Sequence, residues 1–200
     1  ANRNKEILKL SEFLSINLNA NNINYCLIKG TALIQCNENL NIGERMIGDI
    51  DILIDRNNYK KVKEILNKLG YYNSHEYKIW KTRHSPRFKN SSSICAIEIH
   101  YSITDRDEKL NLSSKELLKK RIKIKNTYIL PNPIQRDICI YNHMINDYGL
   151  FKCFYNYRSL YDFDKILKNC PPETRTKSKI HLNFYSIITF LGINNLAENY

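Results

Sequence analysis

The sequence predicts an α/β (α+β) fold: a mixed β-sheet flanked by helices and followed by a C-terminal helical cap. Three observations predict it. Short apolar runs at residues 25–28, 49–55 and 94–101 alternate with amphipathic stretches at helical spacing, the order that builds a sheet covered by helices. After the Pro131-Asn132-Pro133 break, apolar residues recur at helical spacing alone. Hydrophobic residues make up 42% and charged residues 26% of 200 positions, the mix of an ordinary globular chain, which excludes disordered, collagenous and fibrous classes.

Taken in order, residues 6–18 place Ile7, Leu10, Leu14 and Leu18 on one stripe with Lys5, Lys9 and Glu12 off it, as in an amphipathic helix. After a polar turn, Tyr25-Cys26-Leu27-Ile28 breaks at Lys29-Gly30, as a buried strand does on entering a turn, and residues 31–36 start a helix. Residues 49–55 alternate acid with apolar side chains and predict a strand. Tyr59, Val62, Ile65, Leu66 and Leu69 recur at helical spacing, and the run stops at Gly70. Residues 71–80 read as extended, 81–93 as a basic polar loop containing Pro86, and 94–101 as a further strand. A short helix ending near Arg121 begins at Ser113 or Ser114, either of which suits an N-cap. Helices are expected over 133–148, 154–169 and 179–191, so an α/β domain over 1–130 precedes a helical cap over 131–200.

No apolar run approaches the roughly 20 residues of a membrane helix. The opening Ala1-Asn2-Arg3-Asn4-Lys5-Glu6 leads into no unbroken apolar stretch, so cytoplasmic residence without a membrane partner is expected. Cys26, Cys36, Cys95, Cys139, Cys153 and Cys170 contain no Cys-x-x-Cys pair, which points to reduced, buried thiols. The net charge of +11 favours anionic partners, nucleotides or nucleic acid. AT-rich coding would also raise Asn, Ile, Lys and Tyr, so charge alone does not decide this.

The chemistry lies in the strands and the turn before them. Alternation puts Asp49 and Asp51 on one face of their strand and Ile50, Ile52 and Ile54 on the other. Glu98, between Ile97 and Ile99, repeats the pattern with His100 on its own side. Carboxylates crowded on one face repel unless a cation lies between them, and hard divalent ions such as Mg²⁺ take oxygen ligands of this kind. If the strands are neighbours, three acids can hold two ions for an in-line phosphoryl or nucleotidyl transfer. Lys29-Gly30-Thr31 supplies a turn where a backbone can approach phosphate, a helix N-terminus that favours an anion, a hydroxyl and a charge. Arg45 offers a planar fork of donors to the same phosphate. Singly, an Asp-x-Asp is also what a solvated strand edge shows; the conjunction in this order carries the signal. No Walker-type phosphate loop is present. His100 suits either a contact to nucleotide or acceptor or a structural hydrogen bond. Arg83, His84 and Arg87 suit either a triphosphate or nucleic-acid contact or, in preference, a solvated loop. His143 suits a buried helix contact, and the tyrosines of the cap suit core and groove lining.

The ordered set Leu27-Ile28-Lys29-Gly30-Thr31-Ala32-Leu33, Arg45, Gly48-Asp49-Ile50-Asp51-Ile52-Leu53-Ile54 and Ile97-Glu98-Ile99-His100-Tyr101 resembles the polymerase-β-like nucleotidyltransferase superfamily. Within it, the closest resemblance is to the uncharacterised nucleotidyltransferases, with their Lys-Gly turn, Arg, Asp-x-Asp strand and acid-x-His strand. It continues through Ile129-Leu130-Pro131, His143 and Tyr157-Arg158-Ser159-Leu160-Tyr161-Asp162. The resemblance implies that Gly30 and Thr31 are similar to a Gly-Ser phosphate turn. It also implies that Asp49 and Asp51 are the metal-binding pair and that Glu98 is the third carboxylate, a metal ligand or base near the acceptor. The gap from Gly30 to Asp49 is longer than in compact relatives and bears the Arg.

The expected activity is metal-dependent transfer of a nucleoside monophosphate from a nucleoside triphosphate, ATP by expectation, to an acceptor hydroxyl with release of pyrophosphate. Asp49, Asp51 and Glu98 would hold two Mg²⁺ (or Mn²⁺) ions; Lys29, Gly30, Thr31 and Arg45, with His100, would contact the nucleotide, and the helical cap would choose the acceptor. The basic balance suits tRNA or another RNA; a small-molecule acceptor would draw on Asp105, Asp107 and Glu108, and a protein side chain is a third class. The alternative is a catalytically silent nucleotide- or RNA-binding module paired with a partner protein. Such a module usually lacks one acid, and here all three are present.

Overall fold

The computed structural model describes residues 1–36, 40–73, 82–104, 112–149, 156–167 and 179–190. Most of the expected extended segment at 71–80, the acids Asp105, Asp107 and Glu108, and Tyr155, Cys153 and Cys170 lie outside the described residues. The chain divides into two compact units, Ala1–Pro131 and Asn132–Tyr200.

The first unit is built on a five-stranded mixed sheet of order β3-β2-β1-β5-β4. Helix α1 (Asn2–Ala20) leads to β1 (Tyr25–Ile28), which passes without a loop into α2 (Lys29–Cys36). The junction is made by Lys29, whose φ of 56° lies in the left-handed region that non-glycine residues rarely adopt. β2 (Ile50–Ile54) pairs antiparallel with β1, Ile28 opposite Asp51. A 3₁₀ turn (Arg56–Asn58) and α3 (Tyr59–Lys68) then carry the chain across to β3 (Ile97–His100), parallel to β2. Such a crossover is what a parallel pair requires. Helix α4 (Ser114–Lys119) precedes β4 (Ile122–Ile124) and β5 (Thr127–Ile129), an antiparallel hairpin whose second strand runs parallel to β1.

The core follows from the alternation. Ile50, Ile52, Ile54, Ile97 and Ile99 are fully buried on the side opposite the acids, each contributing about 1.5–3 kcal/mol relative to exposure. Tyr59, Val62, Ile65 and Leu66 form the buried stripe of α3. On α1 the buried stripe is Asn4, Ile7, Ser11, Leu14, Ser15 and Leu18, so polar residues share the face expected to be apolar. Asn4 is there for a reason: its amide donates to Arg45 O at 2.6 Å and accepts from Ile47 N at 3.2 Å, fixing the loop before β2 to the helix.

The second unit contains α5 (Asn132–Tyr141), α6 (Tyr157–Leu167) and α7 (Lys179–Phe190). Ile140, Met144, Leu160, Phe163, Phe184, Tyr185 and Ile188 form its core. The helix expected over 133–148 changes to a π turn at Asn142–Asn146. Tyr148 is left-handed with φ 59°, and a Cβ at Gly149 would lie 2.8 Å from His143 O, so the chain folds back here. His143 is fully buried, edge-on to Phe184 at 5.7 Å between centroids. Tyr141 is buried as a core residue should be, whereas Tyr148 and Tyr157 are exposed. Among the described residues no helix is long and apolar enough to cross a membrane. Burial pushes the Cys26 thiol up to about 12 and the Cys95 thiol up to about 11.

Candidate functional site

The register of β2 against β3 places Asp51 directly opposite Glu98. Both strands are buried and fixed by their apolar sides, so the two carboxylates are held together by backbone pairing, not by flexible side-chain reach. His100 comes up two residues along β3 on the same side, 2% exposed, its Nε2 2.8 Å from Asp51 Oδ1 and 2.9 Å from Glu98 Oε2. With its proton on Nε2, the imidazole donates to both carboxylates. Among the described residues, ligand atoms of Asp51, Glu98 and His100 all lie within 4.8 Å of one another. The two hard carboxylate oxygens suit a divalent cation such as Mn²⁺ or Mg²⁺, with the His100 N–H holding them in place.

Lys29 reaches this trio from the end of β1. Because Ile28 stands opposite Asp51, the next residue is beside it, and Lys29 Nζ lies 2.7 Å from Asp51 Oδ1 and 3.6 Å from Glu98 Oε2. Burial pushes the Asp51 carboxyl up, but the Lys29 ammonium and the His100 hydrogen bond together outweigh it and hold the group below its usual range. Glu98 is likewise held down: burial and the Asp51 charge oppose ionisation, and His100 and Lys29 overcome them. Asp49 goes the other way. Burial raises it, and the neighbouring charges of Asp51 and Glu98 add to that against the pull of Arg87.

Asp49 stands outside the trio, and its Oδ2 accepts from Arg87 Nη2 at 3.0 Å. Arg87 also approaches Glu98 Oε1 at 3.8 Å, and His84 Nδ1 lies 3.4 Å from the same oxygen. These two residues, given above to a solvated loop in preference, therefore border the acids. The segment carrying them runs antiparallel along the free edge of β3: Ser85 N donates to Ile99 O, and Phe88 exchanges hydrogen bonds with Ile97 in both directions. Two residues lie between Ser85 and Phe88 while one lies between Ile97 and Ile99, so one extra residue bulges at Pro86. Phe88 and Ser85 turn into the core while His84 and Arg87 face the carboxylates. Burial lowers the His84 pKa, which favours its neutral ring.

The turn residues are placed less simply. A Cβ on Gly30 would meet Arg45 Nη2 at 3.2 Å, so the missing side chain is what lets the buried Arg45 guanidinium lie against the start of α2. Arg45 also donates to Met46 O. Thr31 is fully buried, and its hydroxyl has no hydrogen-bond partner among the described residues. The first N–H groups of α2 have no partner within the helix and carry its positive dipole end.

The fold is found in solved structures of nucleotidyltransferases. ANT(2'')-Ia in complex with adenylyl-2''-tobramycin is 9% identical, with a TM-score of 0.56 over 92% of this chain and 98% of that one. The solution structure of the same antibiotic-resistance factor gives 10% and 0.57 over 95% and 98%. An antigenic nucleotidyltransferase-like protein from Paracoccidioides brasiliensis gives 12% and 0.60 over 98% and 93%. At these identities the likeness is one of fold. No curated protein sequence matches the chain. The profile of the uncharacterised nucleotidyltransferases matches residues 1–176, most of both units, and the chain therefore belongs to the uncharacterised nucleotidyltransferase family.

Proposed function

We propose that the protein transfers a nucleoside monophosphate from a nucleoside triphosphate, ATP in the first instance, to an acceptor hydroxyl. One observation carries the reading: the direct opposition of Asp51 and Glu98 in register, with His100 bridging them, inside a nucleotidyltransferase fold. In the reaction the acceptor oxygen bonds to the α-phosphorus, the bond from that phosphorus to the bridging oxygen breaks, and pyrophosphate leaves. A divalent ion at the site would lower the pKa of the acceptor hydroxyl and neutralise charge on the triphosphate.

The chain's own residues bind, orient and move the proton. Asp51 and Glu98 would hold the ion, and Glu98 would take the acceptor proton on the side where His84 and Arg87 stand. His100 fixes the orientation of both carboxylates by its shared N–H. The N–H groups at the head of α2, Lys29 and Arg45 grip the triphosphate, and Gly30 keeps that approach open. Asp49, paired here with Arg87, would be available to the ion if Arg87 paired with phosphate instead. For the acceptor, the charge of +11 supports an RNA hydroxyl. A cationic small molecule such as the tobramycin on ANT(2'')-Ia would instead need an acidic pocket.

The test is incubation with each α-labelled nucleoside triphosphate and Mg²⁺ or Mn²⁺, with total RNA, small-molecule extract and protein as separate acceptor pools. Label is expected in RNA with the wild-type chain and absent with Asp51→Asn and Glu98→Gln. Label in the small-molecule or protein pool alone would overturn the acceptor assignment. No label in any pool, with nucleotide still bound, would replace the enzyme by a silent binding module.

A further inference from the structure

Lys29 does more at this site than add charge to a turn. Its Nζ lies 2.7 Å from Asp51 Oδ1, 3.3 Å from His100 Nε2 and 3.6 Å from Glu98 Oε2. One ammonium thus contacts each of the three groups whose donor atoms converge within 4.8 Å. A divalent ion at about 2.1 Å from the Asp51 and Glu98 oxygens and an ammonium at about 2.8 Å need the same lone pairs and the same space. Two cations that close would also repel each other in a part-buried site. They are alternatives, not neighbours.

The chain also gives the ammonium somewhere to go. The Lys29 side chain is 29% exposed on a flexible four-carbon stem, so its tip is not locked in the sheet. Its Cα is the first residue of α2, where the free N–H groups favour phosphate. The left-handed backbone at Lys29 keeps one residue at both places, at the end of the strand beside Asp51 and at the head of the helix. A lysine elsewhere on α2 would serve only one of them.

We propose that Lys29 is an exchangeable internal cation. It compensates the charge of the Asp51–Glu98 pair until a divalent ion takes that pair, and it then pairs with the triphosphate. The proposal rests on the metal-site reading above and adds a competition to it: the affinity of the site for metal is set against a residue of the same chain. Phosphate that engages Lys29 raises metal affinity, and metal that displaces Lys29 raises phosphate affinity, by the same factor.

The test is titration with Mn²⁺ alone, following the free ion by electron paramagnetic resonance, for the wild-type chain, Lys29→Met, Lys29→Gln and Asp51→Asn. Both Lys29 variants are expected to bind Mn²⁺ about tenfold more tightly than wild type, the loss of one charge-assisted hydrogen bond from the competing state. Asp51→Asn should lose the binding. At saturating Mn²⁺, both Lys29 variants should bind a nonhydrolysable triphosphate analogue more weakly. Unchanged or weaker Mn²⁺ binding in folded Lys29 variants, with wild type binding and Asp51→Asn failing to bind, overturns the exchange and leaves the metal site standing. Failure of every chain to bind Mn²⁺ overturns both. Removal of Lys29 leaves the carboxylates less compensated, so a metal-free variant that melts early is read by its Tm: Mn²⁺ should raise it more than it raises the wild type, and an equal or smaller rise overturns the proposal.

Discussion

Asp51 and Glu98 meet because two buried strands pair with these residues opposite each other, whereas His84 and Arg87 reach the same acids from a segment joined to β3 by isolated bridges across a bulge. The first pair is placed by backbone register and anchored by isoleucines on the far side of the sheet. The second is placed by Phe88, which is fully buried, and by the extra residue at Pro86 that turns Arg87 toward Asp49 and Glu98. Register gives a position that holds whatever the side chain does. An edge segment gives a position that depends on its anchor.

That difference can be broken at the anchor. Phe88→Ala is expected to cost about 3–5 kcal/mol, the range for a truncated buried Phe, and to move His84 and Arg87 away while Asp51 and Glu98 keep their register. Urea unfolding measures the first effect. Mn²⁺ binding retained in the folded fraction measures the second, and its loss would show that the register is not self-sufficient.

On the register side, Glu98→Gln keeps size and pairing but removes a charge. Transfer should fall by about 10²–10⁴-fold in kcat, as when a positioned general base is removed, with the circular dichroism spectrum unchanged. A fall of less than about tenfold would place the catalytic carboxylate elsewhere.

Acid separates the two kinds of carboxylate in metal-free protein. Asp51 and Glu98 are held below their unfolded values. The stability they contribute is therefore present above the ordinary carboxylate pKa of about 4 and is lost as pH falls through their folded values. Asp49 is raised, so its ionisation removes stability as pH rises through its folded value. Urea unfolding of wild type in chelator should weaken on acidification below about pH 4, and Asp51→Asn should flatten that loss. An equal loss in both would assign the acid sensitivity to other groups.

Smaller effects sharpen the contrast at the surface. The Arg87 side chain is 56% exposed, so Arg87→Gln should change stability by less than about 1 kcal/mol. It should raise KM for the triphosphate several-fold. Gly30→Ala should be nearly silent in stability, because the helix gain of about 0.5–1 kcal/mol is offset by the contact with Arg45. Its signature should be weaker triphosphate binding as Arg45 is pushed aside.

The same physical distinction decides how much was legible in the sequence. Strand alternation at 49–55 and 94–101 put Asp51 with its apolar partners, and Glu98 with His100, on identifiable sides, and the neighbouring of the strands then completed the pair. The helical stripe of α3 was readable for the same reason of regular period. The edge segment was not, because the bulge at Pro86 breaks the period of two and its Arg and His read as a solvated loop. The β4–β5 hairpin was missed as well: its strands have three residues each, too few to show a period, and they turn at left-handed Lys125 instead of a glycine. Nor could sequence spacing show that Arg45 would pack on Gly30, since that contact is set by Asn4 on a helix some forty residues earlier in the chain.

The opposition of Asp51 and Glu98 would fix the location of the divalent ion. An anomalous difference map from crystals grown with Mn²⁺ and a nonhydrolysable ATP analogue tests it most directly. The expected result is a peak at about 2.1 Å from Asp51 and Glu98 carboxylate oxygens, with Lys29 Nζ moved onto the triphosphate. A peak away from both carboxylates, or nucleotide bound with Lys29 still on Asp51 and no ion between the acids, would contradict it.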